Sequence, residues 1–318
     1  MRIVSLLPSA TEIVARLGLA DSLVGRSNEC TYPPEVQHLP VVTAARIDPS
    51  QLESVEIDRQ VREAIKDGRS LYAVDAALID RLAPDVIVTQ DLCAVCAVSS
   101  GELAGACPVG ATVISLDPST LDEVAASIET LAERLGVPER GRELAGEMRA
   151  TIDDVRRSTE TALRAGAHRP RVFVAEWIDP PFVPGHWLPG MIEAAGGEAL
   201  LAEPGRPSHP TTWDEVAAAD PELLVIAACG FDAEEAARRA TDLDLERIAP
   251  NARVVVVDGD AYYSRPGPRL ADGVRQLGHL LHPEAVADPG LPLIEAASPT
   301  VRTTYDAAAI ASILRNTV

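Results

Sequence analysis

Short uninterrupted apolar runs alternate along the chain with longer stretches in which apolar residues recur every three or four positions. The first run spans residues 2–7 and is bounded by Pro8. Ser9-Ala10-Thr11-Glu12 then has capping-box spacing, which predicts a helix with Ser9 as N-cap and Glu12 reaching back to it. Leu23-Val24-Gly25 opens a second strand that ends at Asn28-Glu29-Cys30, and Tyr32-Pro33-Pro34 stops any helix there. Residues 45–70 are polar with a helical pattern around Val61 and Ile65, and Ala76 to Leu82 reads as a helix. Val86-Ile87-Val88-Thr89 reads as a buried parallel strand, and Val113-Ile114-Ser115-Leu116 as the last strand of this half.

Residues 119–136 and 139–166 are helical in period, the second with Leu144, Met148, Ile152 and Val155 on one face. At 1.5 Å per residue the second helix is about 40 Å long, which suits a rigid connector. The alternation then resumes. Strands are expected at 171–174, 223–226 and 254–257, and helices at 188–195, from Thr212 onward, and at 270–281. Strand–helix alternation in both halves predicts an α/β protein: two Rossmann-like lobes with mostly parallel sheets, joined by one long helix. The expected division is 1–118, a connecting segment 119–168, 169–282, and an extension 283–318 with one helix near 307–314.

In open parallel sheets, ligands sit beyond the carboxyl ends of the strands. The residues that follow each predicted strand are therefore the candidate site. In the first half these are Pro8, Ser9, Glu29, Tyr32 and Gln90. In the second half they are Glu176, Trp177, Phe182, His186, Trp187, Tyr262, Ser264 and Arg265. The chain has only 3 Trp, 5 Tyr and 3 Phe, and most of them fall in these loops, an enrichment that a ligand cleft between two lobes would produce. Cys30, Cys93, Cys96 and Cys229 fall there too. Soft thiolates at four such positions would suit zinc, although a single C-x-x-C is a weak signal and free cysteines are often simply buried.

Charge and motif content narrow the function. The formal net charge is −20, with no basic cluster to offset it locally, which argues against nucleic acid and anionic membrane as partners. There is no G-x-S-x-G, P-loop or H-E-x-x-H, so the expectation is a binding protein rather than an enzyme. No apolar run reaches the roughly 18 residues of a membrane helix. Met1-Arg2 leads directly into the first strand without a secretory pattern, and 5 cysteines do not describe a disulfide scaffold. Both observations lead to the expectation of a cytoplasmic protein, the alternative being an exported one whose signal has been removed.

Several segments, taken in order, resemble the cobalamin and iron-chelate (class III) periplasmic substrate-binding proteins of ABC importers. They are Arg2-Ile3-Val4-Ser5-Leu6-Leu7-Pro8-Ser9-Ala10-Thr11-Glu12, Tyr32-Pro33-Pro34-Glu35, Leu82-Ala83-Pro84-Asp85-Val86, Asp179-Pro180-Pro181-Phe182, Ala195-Gly196-Gly197 and Asp220-Pro221-Glu222-Leu223. The resemblance covers roughly residues 2–282. It implies two lobes on one long helix and a cobalamin-like corrinoid or other bulky chelate held between them. By position it places cleft residues at Tyr32, Phe182, Trp187 and the 260–265 loop. It also implies docking to an ABC permease through one exposed acid on each lobe; here Asp214 keeps that acid, and Ala77 stands where the other would be.

Overall fold

The computed structural model describes residues 1–91, 98, 108 and 110–297. Strands β1 (Ile3–Ser5), β2 (Leu23–Arg26), β5 (Val86–Thr89) and β6 (Thr112–Ser115) form a parallel sheet in the order β2-β1-β5-β6. Between β2 and β5 in the chain lies a separate antiparallel pair, β3 (Thr43–Ala45) and β4 (Tyr72–Val74). The second sheet runs β11-β10-β9-β7-β8. It comprises β7 (Arg171–Ala175), β8 (Glu198–Ala199), β9 (Leu223–Ile226), β10 (Arg253–Val257) and β11 (Leu293–Ala297). All its neighbours are parallel except β11, which pairs antiparallel with β10. That strand lies in the extension, where the sequence pattern predicted only a helix near 307–314; the helix falls outside the described residues.

Helices cover the sheets. In the first half these are α1 (Pro8–Val14), α2 (Ser54–Lys66) and α3 (Ala76–Leu82). Helix α4 (Leu121–Arg134) and the long α5 (Pro138–Arg164) lie between the two sheets in the chain. Helix α5 has 27 residues, which at 1.5 Å each gives the expected length of about 40 Å. Leu144, Met148, Ile152, Val155 and Thr159 recur at three- and four-residue spacing on its buried face. Its other side carries exposed ion pairs such as Arg156–Asp153. One apolar cluster runs without a break from the α1 side of the first sheet, through α4 and α5, to Val172, Val225 and Val255 of the second sheet. The two lobes therefore share a core at the rear, which restricts their relative motion.

The capping box predicted at α1 does not form. Leu7 is the N-cap with no side-chain hydrogen bond, and Pro8 occupies the first turn, where a missing N–H costs nothing. Ser9 and Glu12 consequently point elsewhere. Glu12 Oε2 accepts a 2.8 Å hydrogen bond from Arg269 Nε, at the start of the helix Leu270–Leu281 in the second lobe. Downstream the same motif does form, with Thr212 and Glu215 capping the helix Trp213–Ala218. The difference is Pro8. By setting the start of α1 two residues early, it displaces Ser9 from the cap position.

Helix α2 and the residues just before it reach across to the second lobe. Ile57 is buried within the second lobe's outer cluster, beside Phe173, Ile178 and Phe231, with Leu52 and Val61 packed against the same group. Three main-chain carbonyls fix the segment. Arg239 donates to Pro49 and Leu52 (2.9 Å each), and Trp177 Nε1 donates to Ser54 (3.3 Å). The Arg239 side chain is almost fully buried, with Glu235 as its carboxylate partner and the Phe231 ring 4.2 Å from its guanidinium.

Candidate functional site

The carboxyl ends of the strands in both sheets, together with the α2 segment, enclose a cleft of about 460 Å³. Of the residues picked out from the sequence, it brings together Pro8, Ser9, Glu29, Gln90, Glu176, Trp177, Phe182, His186, Trp187, Ser264, Arg265 and Cys229. Tyr32 and Tyr262 do not line it. Both rings flank the Arg269 guanidinium, at 3.9 and 5.8 Å, and so belong to the interlobe contact behind the cleft. Cys30 also lies outside the cleft wall. It is fully buried, its sulfur accepts from Thr11 Oγ1 at 2.9 Å, and burial pushes its thiol pKa up.

No three His, Cys, Asp or Glu side chains come together in a group that could hold a metal ion among the described residues. Of the four cysteines expected to suit zinc, Cys30 is buried and Cys229 lines the cleft, while Cys93 and Cys96 lie outside the described residues.

The apolar walls are aromatic. Trp177 stacks on Phe231 with ring centroids 5.5 Å apart, and His186 stacks on Trp187 at 5.6 Å. Trp187 is fixed from behind by a 2.7 Å hydrogen bond from its indole N–H to the Tyr263 carbonyl. Tyr263 in turn is fully buried and donates to Gln276 Oε1 at 2.9 Å. This chain of contacts makes the Trp187 face a rigid surface.

The polar groups come from both lobes. Arg265 holds Asp260 through two nitrogens, at 2.9 and 2.6 Å. Glu29, from the opposite lobe, lies within the field of that pair. Burial pushes the Glu29 carboxyl above its ordinary range; Arg265 opposes the shift and Asp260 adds to it. Asn28 donates to Glu29 Oε1 at 2.6 Å. Glu176 accepts from the Gly185 amide, which orders the turn before His186. Among the described residues, Ser9 Oγ is buried at the cleft edge without a hydrogen-bond partner.

Reasoning from strand ends missed one wall. Ile47, Pro49, Ile57, Asp58, Val61, Leu71 and Tyr72 all line the cleft. The helical period of those on α2 was visible in the sequence. Nothing in it said that the apolar stripe would lie across the opposite lobe.

Residues 3–255 match the model of the periplasmic binding protein family, and the chain belongs to that family. It is 26% identical over 284 residues to a vitamin B12-binding protein of Vibrio cholerae, covering 87% of each chain. It is 24% identical over 296 residues to an uncharacterized ABC transporter substrate-binding lipoprotein of Bacillus subtilis, covering 89% of this chain and 80% of that one. Among solved structures it is similar to a periplasmic heme-binding protein from Roseiflexus, with a TM-score of 0.63 and 25% identity, covering 89% of this chain and 98% of that one. These relatives are substrate-binding proteins rather than enzymes. They overturn the cytoplasmic expectation: the family and its solved member are periplasmic, and the Bacillus relative is a lipoprotein. A short apolar first strand is a poor guide to compartment.

Proposed function

We propose that this protein is the solute-binding component of an importer and holds a cobalamin-like corrinoid in the cleft between its lobes. The observation that carries the reading is the cleft itself, where rigid aromatic faces from one lobe meet hydrogen-bonding groups from both. A broad ring system would lie on Trp187 and Trp177, with its polar edges met by Glu29, Gln90, Ser264 and Arg265. Residues 1–118 and 169–282 act as the jaws, and 119–168 as the spring between them. The vitamin B12-binding relative supports the corrinoid as first choice. The solved heme-binding neighbour makes haem the second reading, which keeps the same cleft and the same flat, metal-centred chemistry. An importer permease is the natural recipient. Asp214, one of the two docking positions, is exposed but already paired with Arg247, and Ala77 is exposed at the other.

The test is a titration of the full chain with cyanocobalamin, followed by calorimetry and by co-elution in gel filtration. A stoichiometric complex with micromolar or tighter affinity supports the reading. Absence of binding to cyanocobalamin, with binding to haem, selects the second reading, and absence of both removes the proposal.

A further inference from the structure

The cleft is unbalanced in charge. Among the described residues that line it, Glu29, Asp58, Glu176 and Asp260 are acids, against the single guanidinium of Arg265. That guanidinium is already committed, since two of its nitrogens hold both oxygens of Asp260. His186 adds no positive charge at neutral pH, because burial lowers its pKa below the ordinary histidine value. Asp58 has Arg62 as a partner one turn further along α2, but that arginine is exposed to solvent and does not line the cleft. Arg46, Arg59 and Arg69 line a different cavity, which shares only Ile47 and Leu71 with the cleft. The stretch 92–109, which follows Gln90 and Asp91 in the chain, contains Glu102 and no Lys, Arg or His.

The polar atoms left to meet a ligand are of one kind. Asn28 occupies Glu29 Oε1, and among the described residues Glu29 Oε2 has no donor. Ser9, 1% exposed at the cleft edge, keeps a buried hydroxyl with no partner there. An ionised carboxylate only accepts hydrogen bonds, whereas a primary amide brings two N–H donors and no charge. A ligand carboxylate in this cleft would set acceptor against acceptor and add like-charge repulsion in a partly desolvated space. A ligand amide meets neither obstacle. Repulsion of this sort separates ligands of similar shape that apolar faces alone would hold equally well.

We propose that the acidic cleft sorts flat ring ligands by their fringe: it admits those whose peripheral side chains end in primary amides and rejects those that end in carboxylates, with Glu29 and Asp260 as the determinants. This rests on the corrinoid reading of the cleft and sets it apart from the haem reading, because corrinoids carry peripheral amides and haem carries two propionates. Asp260 acts twice. It contributes a negative charge, and it occupies the guanidinium that would otherwise receive a ligand carboxylate.

The experiment is a calorimetric titration of the full chain with a matched set of probes. They are cyanocobalamin, which has no net charge; its isomeric monocarboxylic acids, each with one peripheral amide hydrolysed; and the methyl esters of those acids, which are neutral again. At low salt at least one acid should bind about tenfold or more weakly than cyanocobalamin, with its ester well above it. The penalty should shrink as salt rises. The ratio of the acid's affinity to that of cyanocobalamin is the readout in the variants, so a general loss of affinity cancels. Glu29→Gln should reduce the penalty. Asp260→Asn, which frees the Arg265 guanidinium, should bring that acid to the affinity of cyanocobalamin or beyond. If wild type binds cyanocobalamin and every acid equally, the sorting is overturned while the corrinoid reading stands. Esters as weak as their acids, a ratio unchanged in both variants, or haem bound more tightly than cyanocobalamin also overturn it. If cyanocobalamin does not bind to wild type, the corrinoid reading fails and takes this inference with it.

Discussion

Beyond their shared apolar core, two contacts between the lobes are built on opposite principles. Behind the cleft the contact is a buried charge pair. Glu12, 2% exposed as a side chain, meets Arg269, with Tyr32 and Tyr262 over the guanidinium. In front, the α2 segment lies over the second lobe as a roof. There the contact is an apolar stripe around Ile57 plus hydrogen bonds to main-chain carbonyls, while its solvent side carries exposed pairs such as Arg59–Glu56 and Arg59–Glu63. The rear contact is costly to break halfway, because either member alone is a desolvated charge. The front contact comes apart in small steps, since each hydrogen bond or methylene contributes little by itself. A binding protein needs both: a fixed pivot, and a cover that can lift for a bulky ligand.

Breaking the pivot should have the largest effect. Arg269→Met leaves Glu12 buried and unpaired, and should cost about 3–5 kcal/mol of unfolding free energy in urea titration. Adding Glu12→Gln should recover much of that loss; no recovery would mean that Arg269 acts through its tyrosine stacking instead. On the roof, Arg239→Ala removes charged donors to two carbonyls and should cost about 2 kcal/mol. Its signature is local: amide hydrogen exchange should rise across residues 49–66 and stay unchanged in α5. A global rise would erase the distinction between pivot and roof. Trp177→Phe keeps the ring but removes the N–H that donates to Ser54, with an expected loss of about 1 kcal/mol.

The smallest effect concerns pH. Burial raises the Glu12 carboxyl above its ordinary value of 4.5 even though Arg269 opposes the shift. A group whose folded value is raised stabilises the fold fully below its unfolded value and loses that contribution as pH rises through the folded one. The wild-type stability advantage over Glu12→Gln should therefore shrink from pH 4.5 upward. An advantage that grows with pH would show that the ion pair outweighs desolvation.

Much of this architecture was readable in advance. The strand–helix alternation, the long connector and the helix Leu270–Leu281 follow from local periodicity, which packing did not override. Strand ends lead to a set of candidate residues of which Trp177, His186, Trp187 and Arg265 line one cleft. What failed was whatever depended on partners remote in the chain. Glu12 had the spacing for a local cap, yet it pairs with a residue 257 positions away. Tyr32 and Tyr262 were placed in the right loops, but a loop position does not say which way a ring turns. The amphipathic α2 was visible as a helix, and only the fold shows that its stripe belongs to the other lobe.

The manner in which Arg239 grips the roof has an evolutionary corollary. Carbonyl oxygens are common to every amino acid, so this fastening does not depend on which side chains occupy positions 49 and 52. Descendants of this gene could rewrite the residues overhanging the binding chamber, and so change cargo, while inheriting the latch intact.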